Sequence, residues 1–181
     1  IINNSNTNKE RELADSKYNE RRKECDDSLD ILKKYTNISS LCELTSLEFE
    51  AYKDKIEDSN KLRRCVHAIS ENERVKDAVK ALKENNLELF GQLMNQSHIS
   101  LRDDYEVTGK ELDTLAENAW KQPGVLGARM TGAGFGGCAI AIVNNDHVDE
   151  FIKNVGQAYK DAIGYEASFY VASIGNGPTE L

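Results

Sequence analysis

The sequence predicts an α+β domain, with several helices packed on one face of a mostly antiparallel sheet. Three observations point there. Apolar residues recur at helical intervals from Leu29 to Trp120. The last third instead reads strand, loop, strand, helix, strand. A chain of 181 residues with 39% apolar and 30% charged residues can bury one ordinary core, so residues 1–181 are expected to form one domain.

Ile1-Ile2 reads as the end of a strand already under way. With no initiator Met, the chain is expected to be part of a larger protein. Asn3 to Lys9 is rich in turn formers and is expected to be a polar turn. Ser16 is expected to cap a helix running to about Tyr35, with Leu29, Ile31 and Leu32 inward and Arg21, Arg22 and Lys23 more exposed. Thr45 with Glu48 is a capping box ahead of Leu47, Phe49 and Tyr52. The longest helical pattern runs from Asp58 to Glu84, with Leu62, Val66, Ile69, Val75, Val79 and Leu82 on its apolar stripe. Ser70 to Glu73 either interrupts it or forms its solvated face.

Asn86 to Leu101 continues as a helix. Thr108 with Glu111 reads as a second capping box, opening a helix through Trp120 that Gln122-Pro123-Gly124 stops. Val125 to Met130 and Cys138 to Val143 are expected strands. Asn144-Asn145 turns into a helix from about His147 to Ile163, and Glu166 to Ile174 is a last strand.

Several function classes are excluded early. The net charge of −8, with no basic block, argues against partners such as nucleic acid or an anionic membrane. The longest apolar run, Cys138 to Val143, is far below the roughly 20 residues of a membrane helix. Cys25, Cys42, Cys65 and Cys138 form no C-x-x-C pair, and the three histidines add no zinc spacing, so no metal site is expected. With no signal peptide, reduced cysteines in a cytoplasmic protein are the reading. Ser97, His98 and Asp103 invite a nucleophilic triad, but no strained elbow accompanies them, and His98 reads as a hydrogen-bonded core residue. Asp103 and Asp104 beside Arg102 read as an ion-paired turn, and Glu71, Glu73 and Arg74 as a solvated or ion-paired helix face.

The strongest local feature is Gly132-Ala133-Gly134-Phe135-Gly136-Gly137 between the two expected strands. Glycines remove the Cβ atoms that keep a ligand off the main chain and permit positive φ, so N–H groups can converge on an anion such as phosphate. The flanking Arg129 and Thr131 add a cation and a hydroxyl. The run matches a bare G-x-G-x-x-G, but a strand follows it where a dinucleotide-binding fold needs a helix. No Lys-Ser or Lys-Thr follows, as a P-loop needs, and the next strand has no lysine, as a protein-kinase loop needs. A tight hairpin whose glycines merely allow close packing remains open.

The stretch Gly127 to Val143 resembles the third glycine motif of the GHMP small-molecule kinase superfamily. Ser16 to Arg22 with Glu24-Cys25, Ser70 to Val75, Ser97 to Val107 and Glu111 to Leu115 resemble the branch that phosphorylates galactose. The resemblance implies the C-terminal domain of a two-domain kinase with a ferredoxin-like core. It implies transfer of the ATP γ-phosphoryl group, with Mg²⁺, to the anomeric hydroxyl of α-D-galactose. It also implies that the catalytic aspartate and its arginine, the sugar-holding first motif and the Ser-rich triphosphate loop lie in an N-terminal half outside this sequence. That half would bind most of the ATP and Mg²⁺. Catalytic residues are therefore not expected here. Carried over by position, Tyr18 is the galactose contact, and Gly132, Gly134, Gly136 and Gly137 line the cleft near the transferred phosphate. A kinase for a related sugar such as N-acetylgalactosamine and a silent galactose sensor are the alternatives. The piece alone is expected to be inactive and able to self-associate.

Overall fold

The computed structural model describes residues 1–9, 14–173 and 175. Four strands, β1 (Ile2–Asn6), β2 (Val125–Thr131), β3 (Cys138–Val143) and β4 (Ser168–Ala172), form one antiparallel sheet in the order β2-β3-β1-β4. The helices are α1 (Ala14–Leu32), α2 (Ser46–Phe49), α3 (Ser59–Lys83), α4 (Leu87–Asp103), α5 (Lys110–Ala119) and α6 (Val148–Ile163). That strand order, with one crossover before the β2–β3 hairpin and one after it, is the ferredoxin-like arrangement. The first crossover is enlarged by α1 to α4.

Helices α5 and α6 cover one sheet face. Leu112, Leu115, Phe151, Val155 and Tyr159 pack there on Ala128, Met130, Ala139, Ala141 and Val143. A second core of Leu32, Leu41, Leu44, Phe49, Ile56, Cys65 and Ile69 joins α1 and α3 to the segment between them. Burial pushes the Cys65 thiol up to about 11, so it stays protonated at neutral pH.

The expected polar turn at Asn3 to Lys9 is corrected: Ile2–Asn6 is an interior strand, paired with β3 on one side and β4 on the other. Ladders on both sides satisfy its backbone, and this outweighs the turn preference of Asn and Ser. Its alternate polar side chains, Asn3 and Ser5, are buried on the core face. Ser5 Oγ donates to Asn3 Oδ1 at 2.9 Å, and Tyr159 Oη donates to the Thr7 carbonyl at 2.7 Å.

Four element ends differ from expectation. Helix α1 begins at Ala14, so Ser16 lies inside it rather than ahead of it, and it ends at Leu32 rather than near Tyr35. Helix α5 is entered through Gly109 at φ 90° with no side-chain cap, so Thr108 and Glu111 form no capping box. Strand β4 ends at Ala172, and Ile174 lies outside the described residues. The Thr45–Glu48 capping box is formed. Asp58 caps α3, accepting from the Asn60 and Lys61 amides, and Ser70 to Glu73 does not interrupt that helix.

Edge strand β2 is shielded by α4. Asn95 Oδ1 accepts from the Ala128 amide at 2.8 Å, and His98 Nδ1 accepts from the Met130 amide at 3.0 Å. An edge strand capped this way offers no free ladder to another chain. The approach is close enough that a Cβ on Gly127 would lie 2.2 Å from the Gly91 carbonyl oxygen.

Candidate functional site

The glycine run is the tight connection of the β2–β3 hairpin. Gly132, Gly134, Phe135, Gly136 and Gly137 all have positive φ, between 58° and 110°. Phe135 is the one non-glycine held there, and its amide donates to the Val107 carbonyl at 2.7 Å. The Gly137 amide donates to Thr7 Oγ1 at 3.1 Å, and its carbonyl accepts from the Thr7 amide at 2.8 Å. Two of the loop's N–H groups are thus engaged within the protein and unavailable to an anion.

The glycines serve different ends. A Cβ on Gly134 would lie 2.1 Å from the Val107 carbonyl oxygen, and one on Gly136 would lie 3.1 Å from the Lys9 side chain. These positions are fixed by packing. Around Gly132 nothing lies within 4 Å, and Thr131 to Ala133 is the exposed tip of the hairpin. Only this tip can bring bare main chain to a ligand.

Tyr18 lies on the first turns of α1, 53% exposed. Its neighbour Lys17 places Nζ 5.7 Å from the centre of the Phe135 ring, a cation–π contact that ties the start of α1 to the glycine loop. Helix start and loop therefore share one end of the sheet. Arg21, expected to be exposed, is turned inward instead: its Nε donates to the Tyr105 carbonyl at 2.8 Å. Lys9 pairs with Glu111 at 2.9 Å beneath the loop. Burial pushes the Glu111 carboxyl up, but the hydrogen bond from Lys9 helps hold it below its ordinary value.

Arg129 does not reach toward the loop as its position in the sequence suggested. Its Nε donates to the Met130 carbonyl at 3.0 Å, and Nη1 lies 3.4 Å from Glu71 Oε1. Glu71 also pairs with Arg74 and accepts from Ser97 Oγ. Burial pulls the Arg129 guanidinium down from its ordinary range. This cluster borders a cavity of about 450 Å³ between α3 and the second sheet face, lined by Ile2, Ile140, Ile142, Val75, Val79 and Leu82. Beyond Ile69 the apolar stripe of α3 lines this open groove.

His98 is a sealed core histidine. Its Nδ1 accepts from Met130, so Nε2 carries the proton toward Asp113 Oδ1 at 3.2 Å. Asp103 is ion-paired with Arg102 at 2.8 Å. Asp104 instead accepts from Ser100 Oγ at 2.7 Å, and Ser100 Oγ lies 3.0 Å from His67 Nδ1. Sequence reasoning gave His67 no role. Desolvation pushes it down to about 4, which keeps it neutral inside this cluster. Among the described residues no group of three or more His, Cys, Asp or Glu side chains converges on a point where a metal could sit, and no helix is long and apolar enough to cross a membrane.

Comparison with known proteins places this geometry in context. Residues 78–161 match the family described as GHMP kinases C terminal. Galactokinase of Clostridium perfringens strain SM101 is 98% identical over 176 residues, covering 97% of this chain and 46% of that protein. Galactokinase of Lactiplantibacillus plantarum is 60% identical over 176 residues, with the same two coverages. The crystal structure of Lactococcus lactis galactokinase complexed with galactose superposes with a TM-score of 0.95 at 57% identity, covering 99% of this chain and 46% of that one. The mevalonate kinase of L. major, in complex with R-mevalonate, shares the fold, with a TM-score of 0.57 at 20% identity over 96% of this chain and 43% of that one. The chain thus spans about half the length of the relatives it matches.

Proposed function

Because this chain belongs to the GHMP kinase family, as its C-terminal domain, we propose that it is the C-terminal half of a cytoplasmic galactokinase. That enzyme moves the γ-phosphoryl group of ATP to the anomeric hydroxyl of α-D-galactose. The observation that carries the reading is that the start of α1, which bears Tyr18, is tied to the glycine hairpin at one end of the sheet by Lys17 and Phe135. An exposed phenol offers a sugar both a hydrogen-bonding hydroxyl and an apolar ring face. In this reading Tyr18 is one wall of the sugar site. The tip at Gly132 is the main-chain surface that approaches the phosphate, and Gly134, Gly136 and Gly137 hold that tip in shape.

ATP and Mg²⁺ are bound mainly by the other half, where the catalytic aspartate and arginine also lie. The bound metal supplies charge neutralisation for phosphoryl transfer. This chain's own part is to orient the sugar and close the cleft. Phosphoryl transfer depends chiefly on positioning, so a chain that carries one wall alone should not turn over. The purified chain is expected to yield no galactose 1-phosphate from galactose and ATP. In the full-length enzyme, Tyr18→Ala is expected to raise KM for galactose by about ten-fold or more and leave KM for ATP nearly unchanged. Turnover by the chain alone, or an unmoved galactose KM, would contradict the assignment.

The groove between α3 and the open sheet face is proposed as the seat of the other half. Ile2, at the start of β1, lines it, and more than half of the full-length relatives' sequence lies outside this chain. Left uncovered, Val75, Val79 and Leu82 present an apolar strip to water. The chain alone is expected to self-associate through that strip, and Val79→Asp to restore monomers. A clean monomer by light scattering at high concentration, before any substitution, would count against it.

A further inference from the structure

Arg64, in the middle of α3, is sealed from solvent with 1% of its surface exposed. A guanidinium stays charged at any physiological pH, so burying it requires charged or carbonyl partners on every donor edge. Its Nε donates to Glu24 Oε2 at 2.6 Å. Its Nη1 donates to the Asp104 carbonyl at 2.6 Å, and Nη2 to Glu106 Oε2 at 2.7 Å. The acceptors belong to two separate pieces of chain. Glu24 is on α1; Asp104 and Glu106 form the turn between α4 and α5. The planar fork fixes the angles between its bonds, so it fixes these two pieces relative to each other.

Each piece leads to the candidate site. Tyr18 is on α1, less than two turns before Glu24. Arg21, between them, pairs with Glu24 at 3.3 Å and donates to the Tyr105 carbonyl of the same turn. The turn continues into Val107, whose carbonyl accepts the Phe135 amide and abuts Gly134. Glu106 itself sits at φ 54°, a left-handed conformation that a non-glycine residue adopts only when held. Arg64 and Arg63 both bind its carboxylate, the latter at 3.1 Å.

We infer that Arg64 is a positioning residue: one buried guanidinium sets the spacing between the helix that carries Tyr18 and the turn that carries the glycine hairpin. The inference rests on the sugar-contact reading of Tyr18. It differs from a purely stabilising role, in which Arg64 would only hold α1 on α3.

The test uses the full-length enzyme that carries this chain. Arg64→Lys keeps the charge, but a single ammonium cannot span three acceptors in one plane. Glu106→Gln is a milder second variant, since the Glu106 side chain is about half exposed and the amide keeps an acceptor oxygen. Arg102→Gln is the control. It breaks pairs to Asp103 and Glu117 of similar length, and neither partner belongs to α1 or the glycine hairpin. Arg64→Lys is expected to raise galactose KM about ten-fold and lower kcat, with ATP KM within about two-fold. Glu106→Gln should show the same pattern more weakly. Arg102→Gln should lower the melting temperature and leave galactose KM alone. Hydrogen exchange at the Phe135 amide gives a readout independent of substrate, and should speed up in the Arg64 and Glu106 variants but not in the control. If the Arg64 and Glu106 variants melt earlier with unchanged galactose KM and unchanged Phe135 exchange, the inference is overturned. If the unmodified enzyme does not phosphorylate galactose, the functional reading fails, and Phe135 exchange still decides whether Arg64 couples the two pieces.

Discussion

Gly127→Ala is expected to destabilise the fold by about 3 kcal/mol or more, the upper range for forcing an extra methyl into a packed interior. The added Cβ would lie 2.2 Å from the Gly91 carbonyl oxygen and 2.7 Å from Gly91 Cα. Both atoms are backbone of helix α4, and Gly127 itself is in strand β2, so no side chain can swing aside. Relief requires α4 to lift from β2, which would also break the Asn95–Ala128 and His98–Met130 hydrogen bonds that cap the edge strand. For a chain of this size the loss corresponds to a fall in melting temperature on the order of 10 °C. Gly91→Ala should cost a similar amount, because its Cβ would lie 2.0 Å from the Leu126 carbonyl oxygen. The double variant should cost less than the two singles summed, since each opens the same contact. Gly164→Ala provides the scale. It has a positive φ but no atoms nearby, so it should lose only about 1 kcal/mol. A Gly127→Ala protein that unfolds in urea at the unmodified midpoint would show that α4 and β2 do not touch as described.

The second large effect separates two glycines of the hairpin. In the full-length enzyme Gly134→Ala is expected to lower kcat/KM on the order of 100-fold, because a shift of about 1 Å at a reacting centre costs that much. Its Cβ would meet the Val107 carbonyl oxygen at 2.1 Å, and its φ of 84° adds strain. The Phe135–Val107 hydrogen bond would be lost with it. Gly132→Ala has the same φ and open space around it. It should cost about 1 kcal/mol of stability while raising KM for ATP, since in the proposed reading a methyl group there would stand where phosphate oxygens approach. If Gly132→Ala leaves ATP KM unmoved and Gly134→Ala loses activity only in proportion to unfolded protein, the hairpin is a structural turn and not a wall of the site.

Much of the fold was legible. Strand Cys138–Val143 was bounded to the residue, because six apolar residues between a glycine run and an Asn-Asn turn admit little else. The Thr45–Glu48 box was legible because both partners lie within one helical turn. The Thr108–Glu111 pair carried the same signature and failed. Lys9, distant in sequence, draws Glu111 away, and Gly109 takes the cap position. The glycine hairpin was singled out from its residues in advance, and Tyr18 from the resemblance alone. The Arg64 hub and the His67 cluster were not, since each gathers partners from segments far apart in the chain.

By itself, the sequence determined the helical periodicities, the hairpin, the α+β class and the superfamily, all of which depend on residues that are near neighbours along the chain. Tertiary structure alone decided that Ile-Asn-Asn-Ser-Asn becomes an interior strand, which glycines pack and which stands open, and that Arg64 joins helix to hairpin. The physical reason is one of range. Propensity and capping act over a few residues, whereas ladder pairing and buried-charge neutralisation depend on what the rest of the chain brings alongside.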